Sequence, residues 1–354
     1  MAAVFPARPT IADVARHAGV STVTVSRVIE GSAKVAGATR TRVLAAMDEI
    51  GYFGNAAATH LVSGRAGTIA VVTTTTSDYG YATTIAGVEQ RARQHGMAVL
   101  IAVIEGEGPD AIRSTVRTVA SHAVAGVVVL DFDPPAHAVI PALPAYLPAV
   151  STKGPDVGEV LTRPSVAIDE YQGAIGAAEH LIALGHRTVF VLAPPHEETR
   201  ERRSEGVQDA LTAARLPQYP IVRCVDWKPR SGYDGTLELL DRYGDAVTAL
   251  ACANDEIAFG AIRAIYDRGL SVPGDISVVG FDDDPTAEYT RPALTTVRQD
   301  FLALGSSAFD LLHTLLDGGR PAQNERHLPT LVVRESTAPP NPHRGLSAAS
   351  AQQR

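Results

Sequence analysis

Asp255 and the run Asp282-Asp283-Asp284 are the side chains in this 354-residue chain best equipped for direct chemistry. Facing carboxylates can divide acid and base roles in glycoside hydrolysis, or share a divalent cation. The Asp run, however, follows Gly280-Phe281 at the end of an apolar, strand-length segment, where turns and helix caps are the commoner use of aspartate. Asp255 opens an amphipathic helical stretch, so capping is equally open to it. His186 sits in Leu184-Gly185-His186-Arg187 with no nucleophile–base–acid set around it. No P-loop or dinucleotide fingerprint occurs. The two cysteines, Cys224 and Cys252, form no CxxC pair, which argues against a zinc site or disulfide framework and fits a reducing cytoplasm. These residues predict a protein that is not an enzyme and holds neither cofactor nor metal.

A different chemistry is written at the other end. Thr10-Ile11-Ala12-Asp13-Val14-Ala15-Arg16-His17-Ala18-Gly19-Val20-Ser21 runs into Thr22-Val23-Thr24-Val25-Ser26-Arg27-Val28-Ile29. This predicts two short helices joined at a glycine turn, the second studded with small polar side chains. Such a helix-turn-helix can lay its second helix in a DNA major groove. Thr10 followed by Asp13 is close to a capping box, and Ser21 suits the cap of the second helix. A third helix is predicted from Ala38 to Ile50, with Val43, Leu44, Met47 and Ile50 on one face and Gly51 ending it. The stretch 53–66, Ala-rich between glycines, suits a linker that switches between helix and coil.

Charge divides at the same boundary. The net charge of −8 argues at first against nucleic acid, but residues 1–65 carry seven basic and four acidic side chains, a net +3, and the remainder carries −11. A basic head on an acidic body fits a DNA-binding module fused to a ligand-binding core. The head's charge is modest, so dimerisation is expected to reinforce it. No signal-peptide-length apolar run opens the chain and no stretch of 18 apolar residues occurs, which predicts a cytoplasmic, nucleoid-associated protein without a membrane partner.

After Gly67 the pattern changes to apolar strands alternating with amphipathic helices. Strands are predicted at 68–72, 97–103, 126–132, 149–152, 165–168, 189–193, 221–225, 248–253 and 276–281, with helices between them such as 84–95, 170–184, 205–214, 233–243 and 256–268. Continuous apolar strands between helices mean parallel sheet covered on both faces. Nine strands divide best into two doubly wound lobes, with ligand between them at the strands' carboxyl ends. Thr295–Asp300 is expected to cross back to the first lobe, followed by a helix at 301–316, and the Pro/Ser/Ala-rich tail 339–354 is expected to be disordered.

In order and spacing, these segments resemble the LacI/GalR family of bacterial transcription regulators over about residues 9–338. The resemblance rests on residues 10–21, Thr24-Val25-Ser26-Arg27-Val28, Leu184-Gly185-His186, Ala253 to Ala258 (Ala-Asn-Asp-Glu-Ile-Ala), Val272 to Asp283 (Val-Pro-Gly-Asp-Ile-Ser-Val-Val-Gly-Phe-Asp-Asp), and Leu294 to Phe301 (Leu-Thr-Thr-Val-Arg-Gln-Asp-Phe). It implies an all-α helix-turn-helix headpiece at 1–52, a hinge helix at 53–66 and a periplasmic-binding-protein-like α/β core at 67–338, with lobes at 67–166 plus 297–326 and 167–296 plus 327–338.

The resemblance also implies site residues. Thr22, Val23 and Arg27 face base edges, Ser21 and Ser26 hold phosphates, and Thr10 and Asn55 join the DNA-contacting set. Leu61 matches the hinge leucine that wedges into a minor-groove step. The hinge departs from the family pattern: Phe53-Gly54 stands where Arg-Pro is usual, and Thr59 and Val62 stand where basic residues are frequent. In the core, Arg203, Trp227, Asn254, Asp282 and Phe301 match effector contacts: a planar fork for adjacent hydroxyls, a flat ring for a pyranose face, donors and acceptors, and a ring that closes the cleft. Lys153 falls where lactose-type members carry an acidic sugar ligand, which favours an acidic or differently hydroxylated effector.

The function these readings predict is a homodimeric regulator, a repressor in most of the family, that binds a pseudo-palindromic operator under control of a sugar or glycoside. The alternative from the core alone is a sugar-binding receptor without DNA function. The intact headpiece stands against it.

Overall fold

The computed structural model describes residues 9–29, 32–52, 67–154, 162–195, 202–320 and 324–344. The chain divides into two compact units, residues 1–67 and 68–354.

The first unit holds three helices: α1 (Ile11–Ala18), α2 (Thr22–Ile29) and α3 (Gly37–Ile50). A full capping box starts α1, Thr10 receiving the Asp13 amide while Asp13 receives the Thr10 amide at 2.9 Å. Gly19 ends α1 at φ 62°, left-handed backbone that a residue with a Cβ resists. Val14, Ala15, Ala18, Val25, Val28, Val43 and Ala46 close the small core. Leu44, expected inside, is 47 % exposed. Val43 and Met47 share one face with Ala46, and the 100° step from Val43 turns Leu44 outward.

The second unit holds two lobes. In the first, β1 (Thr68–Thr73), β2 (Ala98–Val103), β3 (Val127–Val129) and β4 (Ala149–Ser151) form a parallel sheet of order β2-β1-β3-β4. Helices α4 (Tyr79–Gln94), α5 (Pro109–Ser121) and α6 (Pro134–Ala142) connect them. A parallel ribbon of β5 (Val166–Ile168) and β11 (Glu325–His327) carries the chain between lobes. The second lobe contains α7 (Glu170–Ala183), β6 (Phe190–Ala193), α8 (Arg202–Ala213), β7 (Val222–Arg223), α9 (Pro229–Tyr243), β8 (Ala249–Cys252), α10 (Asp255–Asp267), β9 (Ser277–Asp282), β10 (Thr295–Arg298) and β12 (Thr330–Val332). Its sheet order is β12-β10-β9-β8-β6-β7. Strand-end alternation from apolar to polar, as in β8 into Asn254-Asp255 and β9 into Asp282, delivers polar side chains to the carboxyl edge.

Four local expectations change. The second sheet is not wholly parallel, because β12 pairs antiparallel with β10. β10 stays in the second lobe against β9, so the return to the first lobe comes after Arg298, where α11 (Phe301–Leu316) begins. Strand β3 ends at Val129, short of Phe132, because the following residues turn toward α6. The tail does not lose order at Pro339: Asn341 Nδ2 donates to Asp275 at 3.1 Å and Arg344 pairs with Asp245 at 3.5 Å, while residues 345–354 lie outside the described residues.

Helix α11 packs into the first lobe through Phe301, Leu304, Phe309 and Leu312, against Ile69, Val71 and Val88. The close approach depends on a reciprocal glycine pair. A Cβ at Gly87 of α4 would collide with the Leu302 carbonyl of α11, and one at Gly305 with the Thr84 carbonyl of α4. This packing seats Phe301 beside the cleft.

Candidate functional site

On the headpiece, Ser21 Oγ accepts the Thr24 amide at 3.2 Å and bonds the Thr24 hydroxyl at 2.9 Å, so it caps α2. Thr22, Val23 and Arg27 then stand exposed along α2, Val23 at 57 %. Ser26 is half-buried. From α3, Arg40 reaches the Ser32 carbonyl at 2.6 Å and ties the end of α2 to the third helix. The remaining expected DNA contacts, Asn55 and Leu61, lie outside the described residues, with the rest of the hinge.

In the core, a cavity of about 230 Å³ opens between the lobes. Lys153, Arg203, Trp227, Asn254, Asp282 and Phe301 all line it. Arg203, 13 % exposed on α8, is held from several sides. It donates to Glu170 Oε1 at 2.5 Å and to the Ala253 carbonyl, and lies 3.7 Å from Asp282. Its guanidinium stacks 4.4 Å over the Phe281 ring and 5.4 Å from the Trp227 ring. Asn254 serves two structural ends: Oδ1 caps α10 through the Ile257 amide at 2.9 Å, and Nδ2 donates to the Trp227 carbonyl at 3.2 Å. That second bond fixes the Trp227 backbone beside the cavity. Phe301 meets Tyr79 edge-on at 5.8 Å and Phe132 at 6.1 Å, forming the apolar wall of the first lobe. Lys153 follows β4, its amide donating to Ser151 Oγ at 3.1 Å.

The aspartates separate into two roles. Asp255 is buried at the start of α10 and accepts Thr296 Oγ1 at 2.6 Å and the Asp284 amide at 2.7 Å. Burial pushes its carboxyl well above the usual range, with the Asp282 charge acting the same way. Asp282 accepts Gln299 Nε2 at 2.6 Å; burial raises its carboxyl to about 7, opposed by Arg203. Asp283 is tied by Arg298 and Arg334, each at 2.6 Å. The run thus braces the strand ends rather than assembling a hydrolytic pair, and the described residues contain no cluster suited to a metal ion. His186 is structural as well. It is buried between Thr248 at 3.0 Å, Ser277 at 3.1 Å and the Ala338 carbonyl at 3.0 Å, and burial lowers its basicity.

Among the cavity residues that escaped the sequence reading are Asp131 and Gln299. Asp131, just past β3, is buried and accepts Ser151 Oγ at 3.0 Å beside His137 Nδ1 at 3.0 Å, while its Oδ1 lacks a hydrogen-bond partner among the described residues. Gln299 is 3 % exposed, and its Oε1 likewise lacks one. For Asp131 the signal was position alone, a polar residue just after the apolar β3, whereas Gln299 follows the polar Arg298 and carried no such signal.

Two family models match: the lacI family of bacterial regulatory proteins over residues 10–55, and a periplasmic binding protein-like domain over residues 178–337. The lactose operon repressor of Escherichia coli K12 is 34 % identical over 335 residues, covering 94 % of this chain and 91 % of the repressor. The chain belongs to the LacI family. The HTH-type transcriptional regulator GalR of Salmonella typhimurium is also 34 % identical, covering 94 % of this chain and 96 % of that protein. Among solved structures, the lac repressor dimer bound to operator and the anti-inducer ONPF matches at TM-score 0.84 and 33 % identity, covering 94 % of this chain and all of that one. The CelR–cellobiose complex matches at TM-score 0.67 and 31 % identity, covering 93 % of this chain and all of that one. LacI-family members are transcriptional regulators and not enzymes. No described helix is long and apolar enough to cross a membrane.

Proposed function

We propose that this chain is a homodimeric, cytoplasmic repressor whose hold on a pseudo-palindromic operator is set by a sugar or glycoside in the cleft. The observation that carries this is one cavity lined from both lobes, with Arg203, Trp227, Asn254 and Asp282 on one side and Lys153 and Phe301 on the other, in a chain that also exposes Thr22, Val23 and Arg27 along a helix-turn-helix. An arginine fork, a carboxyl and aromatic faces match the alternating polar and apolar surfaces of a pyranose. On DNA, Arg27 bridges guanine acceptors or a phosphate, Val23 meets a thymine methyl, and Ser21, Ser26, Thr10 and Asn55 position the backbone. Leu61 is the minor-groove wedge of the hinge.

A dimer doubles the modest headpiece charge. The outer strand β2, which exposes Ile101 at 42 % and Val103 at 41 %, supports a second copy as its cover. The effector binds the closed and open lobe arrangements unequally and thereby shifts operator affinity.

The test is selection of a binding site from random duplex DNA with the full chain, followed by a thermal-shift screen of mono- and disaccharides. A palindromic selected site and a sugar that both raises the unfolding temperature and changes operator affinity are expected. Failure to select any site at low salt overturns the proposal.

A further inference from the structure

Lys228 bridges the two lobes at the edge of the cavity. It directly precedes α9 in the second lobe, and its Nζ lies 2.8 Å from Asp78 Oδ1 and 3.4 Å from Glu256 Oε1. Asp78 belongs to the first lobe, at the head of α4, and its carboxylate makes no cap bond to that helix. Glu256 is in the first turn of α10, in the second lobe. Asp78 and Glu256 both line the cavity. Side-chain exposures of 46 % for Lys228, 29 % for Asp78 and 33 % for Glu256, against 13 % and 16 % for Arg203 and Asp282, put the trio at the solvent-facing rim. The Lys228 backbone is anchored independently of its side chain, its amide donating to Asp226 Oδ1 at 3.0 Å. Asp226 in turn accepts the Ser231 hydroxyl.

We propose that Lys228 is the gate residue of the cleft, its ammonium clasping Asp78 of one lobe to Glu256 of the other across the rim. Opening the lobes must separate Nζ from Asp78, because the two partners sit on bodies that move apart. Closing restores a charge-assisted bond that Glu256 keeps pre-aimed from its own lobe. The clasp therefore biases the lobe equilibrium toward closure. It also sets what passes: a ligand that extends beyond Trp227 toward the rim displaces the ammonium, whereas a compact one is enclosed behind it. The gate's influence on effector choice rests on the proposed effector role of the cleft; its influence on lobe closure does not.

Trp227 is the chain's single tryptophan, adjoins Lys228 and lines the cavity, so the protein carries its own reporter. Acrylamide, being neutral, senses access to this ring without responding to surface charge. Quenching is measured on the full chain, on Lys228→Met and on Asp78→Asn. The clasp predicts a quenching constant about two-fold higher in both variants, and a wild-type constant that rises toward theirs when salt is raised to about 0.5 M while theirs stay flat. Unchanged quenching in both variants overturns the gate. So does a rise in Lys228→Met alone, because Lys228 would then shield Trp227 locally without reaching the other lobe. No ligand enters the measurement, so its failure is separate from failure of the effector reading, which the sugar screen decides.

Discussion

Arg203 Nη1 stands 3.7 Å from Asp282 Oδ1, joining a helix and a strand end that face the same cavity. The guanidinium also reaches Glu170 and the Ala253 carbonyl, so one side chain ties three segments of the second lobe together at the cavity.

The first prediction concerns that fork. Arg203→Lys keeps the charge but loses the planar, multi-donor geometry. Effector affinity measured by calorimetry is expected to fall by about 2 kcal/mol, near thirty-fold. Operator affinity without effector should stay near wild type. Loss of both together would assign Arg203 to folding instead.

Protonation of Asp282 supplies the second. Its folded carboxyl, raised to about 7 by burial, holds a proton that the unfolded chain releases near pH 4. Between those values the folded state binds more protons than the unfolded one, so this group's contribution to stability declines as pH rises from about 4 to 7. Effector affinity should move the opposite way, since the ionised carboxylate accepts two hydroxyl hydrogens. Calorimetric titrations from pH 5.5 to 8.5 should show affinity rising with a midpoint near 7, and Asp282→Asn should give a flat profile.

The capping residues of the headpiece give a third. Thr10→Ala removes the cap of α1 and should lower the stability of the isolated transition by about 1 kcal/mol. Arg27→Ala should leave unfolding unchanged, weaken operator binding by about 1–3 kcal/mol and relax base preference at one position per half-site. Thermal unfolding and competition binding separate the two.

Packing of α4 against α11 gives the fourth. Gly305→Val puts a branched side chain where a single Cβ already meets the Thr84 carbonyl. Urea unfolding should report a loss of about 3 kcal/mol, with effector binding weakened because Phe301 rides on the same helix. Ser306→Val, one residue on and half-buried, serves as the control for substitution in α11 itself.

Sequence carried the site unevenly. Arg203, Trp227, Asn254 and Asp282 were legible as cleft residues through the resemblance to the LacI/GalR family, and for Asn254 and Asp282 a place at a strand end, which the doubly wound fold brings to the cleft, points the same way. The capping box at Thr10 and Asp13 was legible because it is local. Asp131 was not, since nothing within its own segment distinguishes a cavity carboxyl from a turn. The Lys228–Asp78 pair spans 150 residues and joins two lobes, a relation that no local pattern encodes. Strands β11 and β12 are three residues each and have no fully buried residue, too short to show a period. Leu44 went astray by one position, because a helical face admits Val43 and Ala46 while the residue between them and the core edge turns to solvent.

Fluorescence anisotropy of a labelled, selected operator, titrated with the full chain with and without the stabilising sugar, measures directly whether a sugar in the cleft controls the hold on DNA. Saturable binding is expected, with log affinity falling linearly with log salt, and a sugar-induced change of at least about ten-fold that Arg203→Lys abolishes. Sugar binding in the cleft with operator affinity unchanged would contradict that control.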